Sequence, residues 1–240
     1  MRAAVVSDIH GNLHALEAVL EAIDRDAPDE LWCLGDLVGY GPRPNRCCEL
    51  IAERADVCLI GNHDLAALGR LDLEIFSPDA AVSAAWTAEM LKPDTRTLLE
   101  GLESKSEREG VGLFHASPRD PVWEYVLSPG VAYAALGDAP QHLVLVGHSH
   151  VALSFRLSNT TLATAAEGTE LDFAGDRCLL NPGSVGQPRD GDPRAAWLLL
   201  DLEAGHATFR RVEYDVATTQ TEIRERGLPE VLAARLEHGV

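Results

Sequence analysis

Short apolar runs alternate with amphipathic stretches along most of the chain. Ala3 to Val6 is apolar and flanked by polar residues, which predicts a buried strand. From Gly11-Asn12 onward, Leu13, Leu16, Val19, Leu20 and Ile23 recur at helical spacing, with Glu17, Glu21 and Asp24 elsewhere on the wheel, and Pro28 closes the helix. Leu31 to Leu34 is a second apolar run, ended by Gly35-Asp36. A Gly- and Pro-rich loop over 39–44 and a helix from Asn45 to Arg54 follow. Val57 to Ile60 is a third run, stopped by Gly61-Asn62-His63. Strand, helix, strand, helix, strand is the order of an α/β sheet.

Residues 65 to about 104 are Ala- and Leu-rich, with helix-entry signals at Ser77-Pro78-Asp79 and Lys92-Pro93-Asp94, and predict a helical excursion. Further strands are expected at Val111 to Phe114, Leu143 to Val146, Val151 to Leu157, Arg177 to Leu180, Ala195 to Asp201 and His206 to Tyr214. Glu203-Ala204-Gly205 joins the last two as a hairpin, and the tail from about Ala217 reads as helical. No repeat or linker interrupts the pattern, so residues 1–240 are expected to form one domain.

Polar clusters punctuate this pattern where apolar runs end: Asp8-Ile9-His10, Gly35-Asp36, Gly61-Asn62-His63-Asp64, Phe114-His115 and Gly147-His148-Ser149-His150. The carboxyl ends of strands in an α/β sheet face one crevice, so these clusters are expected to converge. Asp8, His10, Asp36, Asn62, His115, His148 and His150 offer imidazole, carboxylate and amide donors without a thiolate. On an extended segment, the two side chains of Asp-x-His or His-x-His share one side and reach one cation. Seven donors exceed one tetrahedral ion and suit two divalent cations, with a carboxylate shared between them. The glycines before Asp36, Asn62 and His148 are read as sharp turns. His14, His142, His206 and His238 read as packed or solvated side chains.

Composition narrows the partners. Of 240 residues, 46% are hydrophobic, and 20 basic against 38 acidic residues leave a formal charge of −18. Such a surface argues against a nucleic-acid duplex or an anionic membrane as partner, yet bound cations can still bring in a small anionic phosphoester. The five cysteines include no C-x-x-C pair and fit free thiols of a reducing compartment. The opening Met-Arg-Ala-Ala lacks the apolar core of a signal peptide, so a cytoplasmic location is expected.

The order D-x-H, G-D, G-N-H-D, H, G-H-x-H over residues 8–150 resembles the calcineurin-like metallophosphoesterase superfamily. Asn181-Pro-Gly-Ser-Val-Gly-Gln-Pro-Arg-Asp190 resembles a loop of its small bacterial and archaeal phosphodiesterase-like, diadenosine-tetraphosphatase-related members. The resemblance implies an αββα sandwich of two packed mixed β-sheets flanked by helices. It implies that Asp8, His10 and His150 hold one metal, that Asn62, His115 and His148 hold another, and that Asp36 bridges them. His63 would be catalytic, protonating the leaving oxygen while a metal-bound hydroxide attacks phosphorus. The ligand set leaves Mn, Fe, Zn, Co and Ni open.

Where the phosphoprotein-phosphatase branch reads G-D-x-V-D-R-G, this chain has Gly35-Asp-Leu-Val-Gly-Tyr-Gly41. The Asp that orients the catalytic His and the Arg that binds phosphate are thus replaced by Gly39 and Tyr40. A small phosphodiester or nucleotide-type substrate is therefore expected ahead of a Ser/Thr phosphoprotein. A non-catalytic metal-binding scaffold on the same fold is the other reading. Arg119 and Arg189 are candidate phosphate contacts or simple surface arginines. Tyr40, Trp123 and Tyr125 are candidate pocket walls or ordinary packing. The 181–186 loop either offers amides to phosphate or is a plain turn.

Overall fold

The computed structural model describes residues 1–240. In chain order the elements are β1 (Arg2–Val6), α1 (Leu13–Asp26), β2 (Glu30–Cys33), α2 (Pro44–Arg54), β3 (Val57–Cys58), α3 (Asn62–Ala67), α4 (Pro78–Met90), α5 (Pro93–Glu100), β4 (Lys105–Arg108), β5 (Val111–Phe114), α6 (Pro129–Asp138), β6 (Leu143–Leu145), β7 (Ala152–Arg156), β8 (Thr161–Thr164), β9 (Glu170–Asp172), β10 (Cys178–Pro182), β11 (Ala195–Asp201), β12 (His206–Val212), α7 (Val216–Glu225) and α8 (Glu230–Ala234). Single 3-10 turns lie at Leu73–Ile75 and Arg235–Glu237.

Two mixed sheets of six strands each result, in the orders β3-β2-β1-β11-β12-β9 and β4-β5-β6-β10-β7-β8. In the first sheet β1, β2 and β3 run parallel; in the second β5, β6 and β10 do. The sheets face each other over a core that includes Val5, Trp32, Leu113, Leu145, Leu198 and Phe209. Helices α1 and α2 cover the outer face of the first sheet through Leu16, Val19, Cys48 and Ile51, and α6 covers the second through Ala132, Ala135 and Leu136. Both sheets are thus buried on two sides, which is why their central strands read as short unbroken apolar runs.

Three strands escape the apolar pattern. All four residues of β4 are exposed, and β8 and β9 are largely exposed too. Each lies at a sheet edge, where polar residues guard against edge-to-edge pairing. Helix α6, entered through Ser128-Pro129, was likewise not expected. The helical excursion is present as α3, α4 and α5, and ends at β4.

The C-terminal helices fold back over one end of the sandwich. Ile223, Leu228, Leu232 and Leu236 pack with Tyr40 and Ala80, so the last turns of the chain border the loop after β2. No helix is long and apolar enough to cross a membrane.

Candidate metal centre

The chemistry-bearing residues lie just past the ends of β1, β2, β3, β5 and β6, so two sheets, and not one, supply them. Asp8, His10, Asp36, Asn62, His115, His148 and His150 are all buried. The backbone there is not the extended chain that the x-spaced pairs predict. Asp8, His10, Asp36, Tyr40, His148 and His150 have φ between 50° and 64°, in the left-handed region. Side chains of these residues meet because the chain coils at each strand end, at a cost of about 1–2 kcal/mol per residue. Such strain concentrates at functional sites.

The glycines divide the same way. Gly35 has φ +98 and serves as a turn. Gly61 and Gly147 keep ordinary φ, and their role is close approach: a β-carbon would collide with Asp36 Oδ1 at the first and with Ser7 Oγ at the second.

Hydrogen bonds fix the imidazole tautomers. His10 Nδ1–H donates to Val38 O at 3.0 Å, His150 Nδ1–H to Gln187 O at 2.6 Å and His115 Nδ1–H to Leu34 O at 2.9 Å. Burial holds His10 and His150 well below their usual range, so both are neutral and their Nε2 atoms carry lone pairs. Yet those two Nε2 atoms face each other at 3.0 Å. Asp36 Oδ2 lies 3.5 Å from His10 Nε2 and 3.5 Å from His115 Nε2, and has no hydrogen-bond partner. Asp8 Oδ1 is 3.4 Å from His150 Nε2, and His115 Nε2 is 3.2 Å from Asn62 Oδ1. His148 Nε2 is buried without a partner.

Acceptors facing acceptors in a buried space need cations. Two groups of donor atoms form: Asp8, His10, Asp36 and His150 in one, Asp36, His115 and His148 in the other. Asp36 is common to both. Burial pushes Asp8 up to about 7 and Asp36 well above the usual carboxylate range, and lowers His148 to about 2. A divalent cation reverses that pressure on the carboxylates, because it favours the ionised form directly. The residues present therefore fit the metals that the sequence implies.

Around the cluster, the loop from Asn181 to Asp190 acts as a brace. Asn181 Nδ2 donates to Gly147 O at 2.6 Å and to Ser149 Oγ at 3.0 Å, while Ser184 Oγ donates to Asp8 O at 2.8 Å. Its amides are engaged within the protein: Val185 with Ser7 O, Gly186 with Asp8 O, Gly183 with Asn181 Oδ1 and Gln187 with Ser184 Oγ. These four are not free for phosphate, and through them the loop braces the cluster.

His63 is buried beside the cluster. Its ring centroid lies 4.9 Å from that of His10, 4.3 Å from Tyr40 and 5.2 Å from Phe76. Nδ1 has no hydrogen-bond partner, and burial lowers the imidazole to about 3. Asp64 does not orient it: that carboxylate accepts from Val38 N and Gly61 N. Aromatic packing holds the ring, with Phe76 a contributor that no sequence signal marked.

The candidate substrate contacts separate. Arg189 lies 3.3 Å from Tyr40 Oη, and its guanidinium carbon 5.6 Å from the Tyr40 ring, which itself packs on His10 at 4.6 Å. Tyr125 stacks on His148 at 4.0 Å, and Trp123 sits edge-on to Phe76 at 5.1 Å. Arg119, by contrast, is exposed and lies 3.5 Å from Glu124.

The calcineurin-like phosphoesterase superfamily domain matches residues 1–205. The chain belongs to that family. It is a metal-dependent phosphoester hydrolase by family, and the clustered Asp and His donors are the residues that can hold its metal. A metallophosphoesterase from Sphaerobacter thermophilus superposes with a TM-score of 0.91 at 44% identity, covering 100% of this chain and 99% of that one. A Pyrococcus horikoshii protein shares the fold at a TM-score of 0.81 and 22% identity, over 100% of this chain and 98% of its own. An uncharacterised protein of Methanocaldococcus jannaschii is 38% identical over 97% of this chain and 96% of its own. The symmetrical bis(5'-nucleosyl)-tetraphosphatase of Pseudomonas syringae is 30% identical over 63% of this chain, a match that spans only 47% of that enzyme.

Proposed function

We propose that this phosphoesterase is binuclear and hydrolyses a small phosphodiester or nucleotide-type substrate, with residues 1–240 acting as one domain. The observation that carries the reading is the convergence of two groups of metal-type donor atoms on one carboxylate, with Asp36 Oδ2 3.5 Å from His10 Nε2 and from His115 Nε2. Asp8, His10 and His150 would hold one divalent cation and Asn62, His115 and His148 another, with Asp36 touching both. Bound there, such cations neutralise phosphate charge and acidify a coordinated water.

The protein's own groups do the rest. Backbone carbonyls of Val38, Gln187 and Leu34 hold the imidazoles in the tautomer that turns Nε2 inward. Asp36 Oδ1 is taken by the His63 amide at 2.9 Å, which leaves Oδ2 for the metals. The Nδ1 side of His63 is closed off against Gly39, so Nε2 is the nitrogen that would face the leaving oxygen. The negative charge of a bound phosphate opposes the effect of burial and favours the imidazolium, whose Nε2 proton then passes to that oxygen. Arg189 and Tyr40 flank the same space and supply phosphate contacts. Arg119, held by Glu124, is left out of this reading. The tetraphosphatase relatives support a nucleotide-type substrate.

The test is a turnover screen with metal-reconstituted protein on bis-p-nitrophenyl phosphate, p-nitrophenyl phosphate, cyclic nucleotides, dinucleoside polyphosphates and phosphopeptides. Metal-dependent turnover of small diesters or nucleotides is expected. Two bound metals with no turnover on any of them would make the chain a scaffold instead.

A further inference from the structure

Gln187 Oε1 accepts from two guanidiniums, Arg189 Nη2 at 2.8 Å and Arg235 Nη1 at 3.2 Å. Two positive groups thus converge on one neutral oxygen. Neither is in an ion pair, although Arg194, Arg211 and Arg224 each sit on a carboxylate. The Nε atoms of both Arg189 and Arg235 are buried and lack a partner. Burial and the charge of Arg189 hold Arg235 below its usual range, the mark of like charges crowded together. In a protein of charge −18, such a pair without a carboxylate in contact is a local exception. A shared anion is the group that would complete it, because guanidinium matches the geometry of phosphate.

The pair adjoins the cluster. Gln187 presents its side-chain oxygen to the arginines and its backbone oxygen to His150, at 2.6 Å. Arg189 reaches Tyr40, whose ring covers His10 and His63. Arg235 arrives on the 3-10 turn after α8, anchored by Leu232 and Leu236, and it lies beyond the matched family domain.

We propose that Arg189 and Arg235 form an anion subsite that holds a substrate phosphate adjoining the one that is cleaved. The inference rests on the phosphoesterase reading above and narrows it. The preferred substrates are esters with two or more phosphates in series, such as nucleoside polyphosphates. The cleaved phosphate belongs among Asp8, Asp36 and their partners. Gln187 stands between that place and Arg235, so Arg235 serves the next phosphate along.

The test is calorimetric titration of metal-loaded, full-length protein with inorganic pyrophosphate and with inorganic phosphate. The wild type is expected to bind pyrophosphate about tenfold or more tightly than phosphate. Arg235→Gln should cut that preference by about tenfold, as expected for loss of a charge-assisted contact, and Arg235→Lys should recover part of it. Melting curves and metal content show whether each variant is folded and loaded; Arg189→Gln is the second variant should Arg235→Gln fail to fold. In turnover, the ratio of kcat/KM for ATP to that for bis-p-nitrophenyl phosphate should fall in parallel. Equal affinity of the wild type for the two anions overturns the subsite, as does an unchanged preference in the variants. A wild type inert on every phosphoester defeats the hydrolase reading, while the pyrophosphate preference still decides the subsite.

Discussion

A β-carbon on Gly39 would lie 2.7 Å from His63 Nδ1, in a residue whose φ is +87°. Position 39 and the His63 imidazole therefore compete for one volume. The absence of a side chain there is what lets the His63 ring settle between Tyr40 and Phe76. Gly39→Ala should displace the ring, reduce kcat about a hundredfold on substrates that need a proton donor, and cost about 1–2 kcal/mol through the left-handed backbone. Metal content should be unchanged. Full turnover in the variant would show that His63 tolerates the intrusion or is not needed.

His63→Asn is expected to keep its metals and to lose about 10²–10⁴-fold on alkyl or nucleoside esters, with a much smaller loss on nitrophenyl esters. Nitrophenolate leaves without a proton; an alkoxide does not. Equal losses on both classes would assign His63 to phosphate positioning, and loss of metal would make it a ligand.

Asp36→Ala should empty or weaken both cation sites, because its Oδ2 is equidistant from His10 and His115. His10→Ala should weaken one site and spare the other. Metal analysis after dialysis reads the two stoichiometries directly, and equal loss in both variants would refute the shared carboxylate.

Chelation should lower Tm while leaving the protein folded. A ligand at about a hundred times its Kd stabilises the native state by about 2.7 kcal/mol. Removing the cations also returns the facing His10 and His150 lone pairs to mutual repulsion. A Tm indifferent to chelator and to added Mn or Zn would mean that the cluster binds neither.

Phosphoserine and phosphothreonine peptides should be poor substrates beside small diesters. Tyr40 fills the position next to Gly39, and its ring covers His10 and His63, narrowing the approach to the cluster. Phosphopeptide turnover above that of every small ester would overturn this expectation.

Residues 8–150 alone carried the donors of the candidate metal centre in legible form, since metal-type donors are recognised by residue type and here directly follow short apolar runs. Those runs are recognisable because central strands such as β1, β5 and β6 are buried on both faces and, past Arg2, hold only apolar residues and one glycine. Edge strands such as β4 had no such constraint and left no apolar trace.

Tertiary structure decided what depends on distant pairing. It joined strand ends of two sheets into one cluster, and coiled Asp8, His10, His148 and His150 into left-handed conformations where the pattern had implied extended chain. It gave Gly61 and Gly147 a packing role, engaged amides of the 181–190 loop internally and placed Arg119 within 3.5 Å of Glu124. It also folded Arg235 back beside Arg189, more than forty residues earlier in the chain. Local sequence can specify which atoms bind a cation. Which of them share one is settled by packing, because only a fixed core holds separate strand ends within a few ångströms of each other.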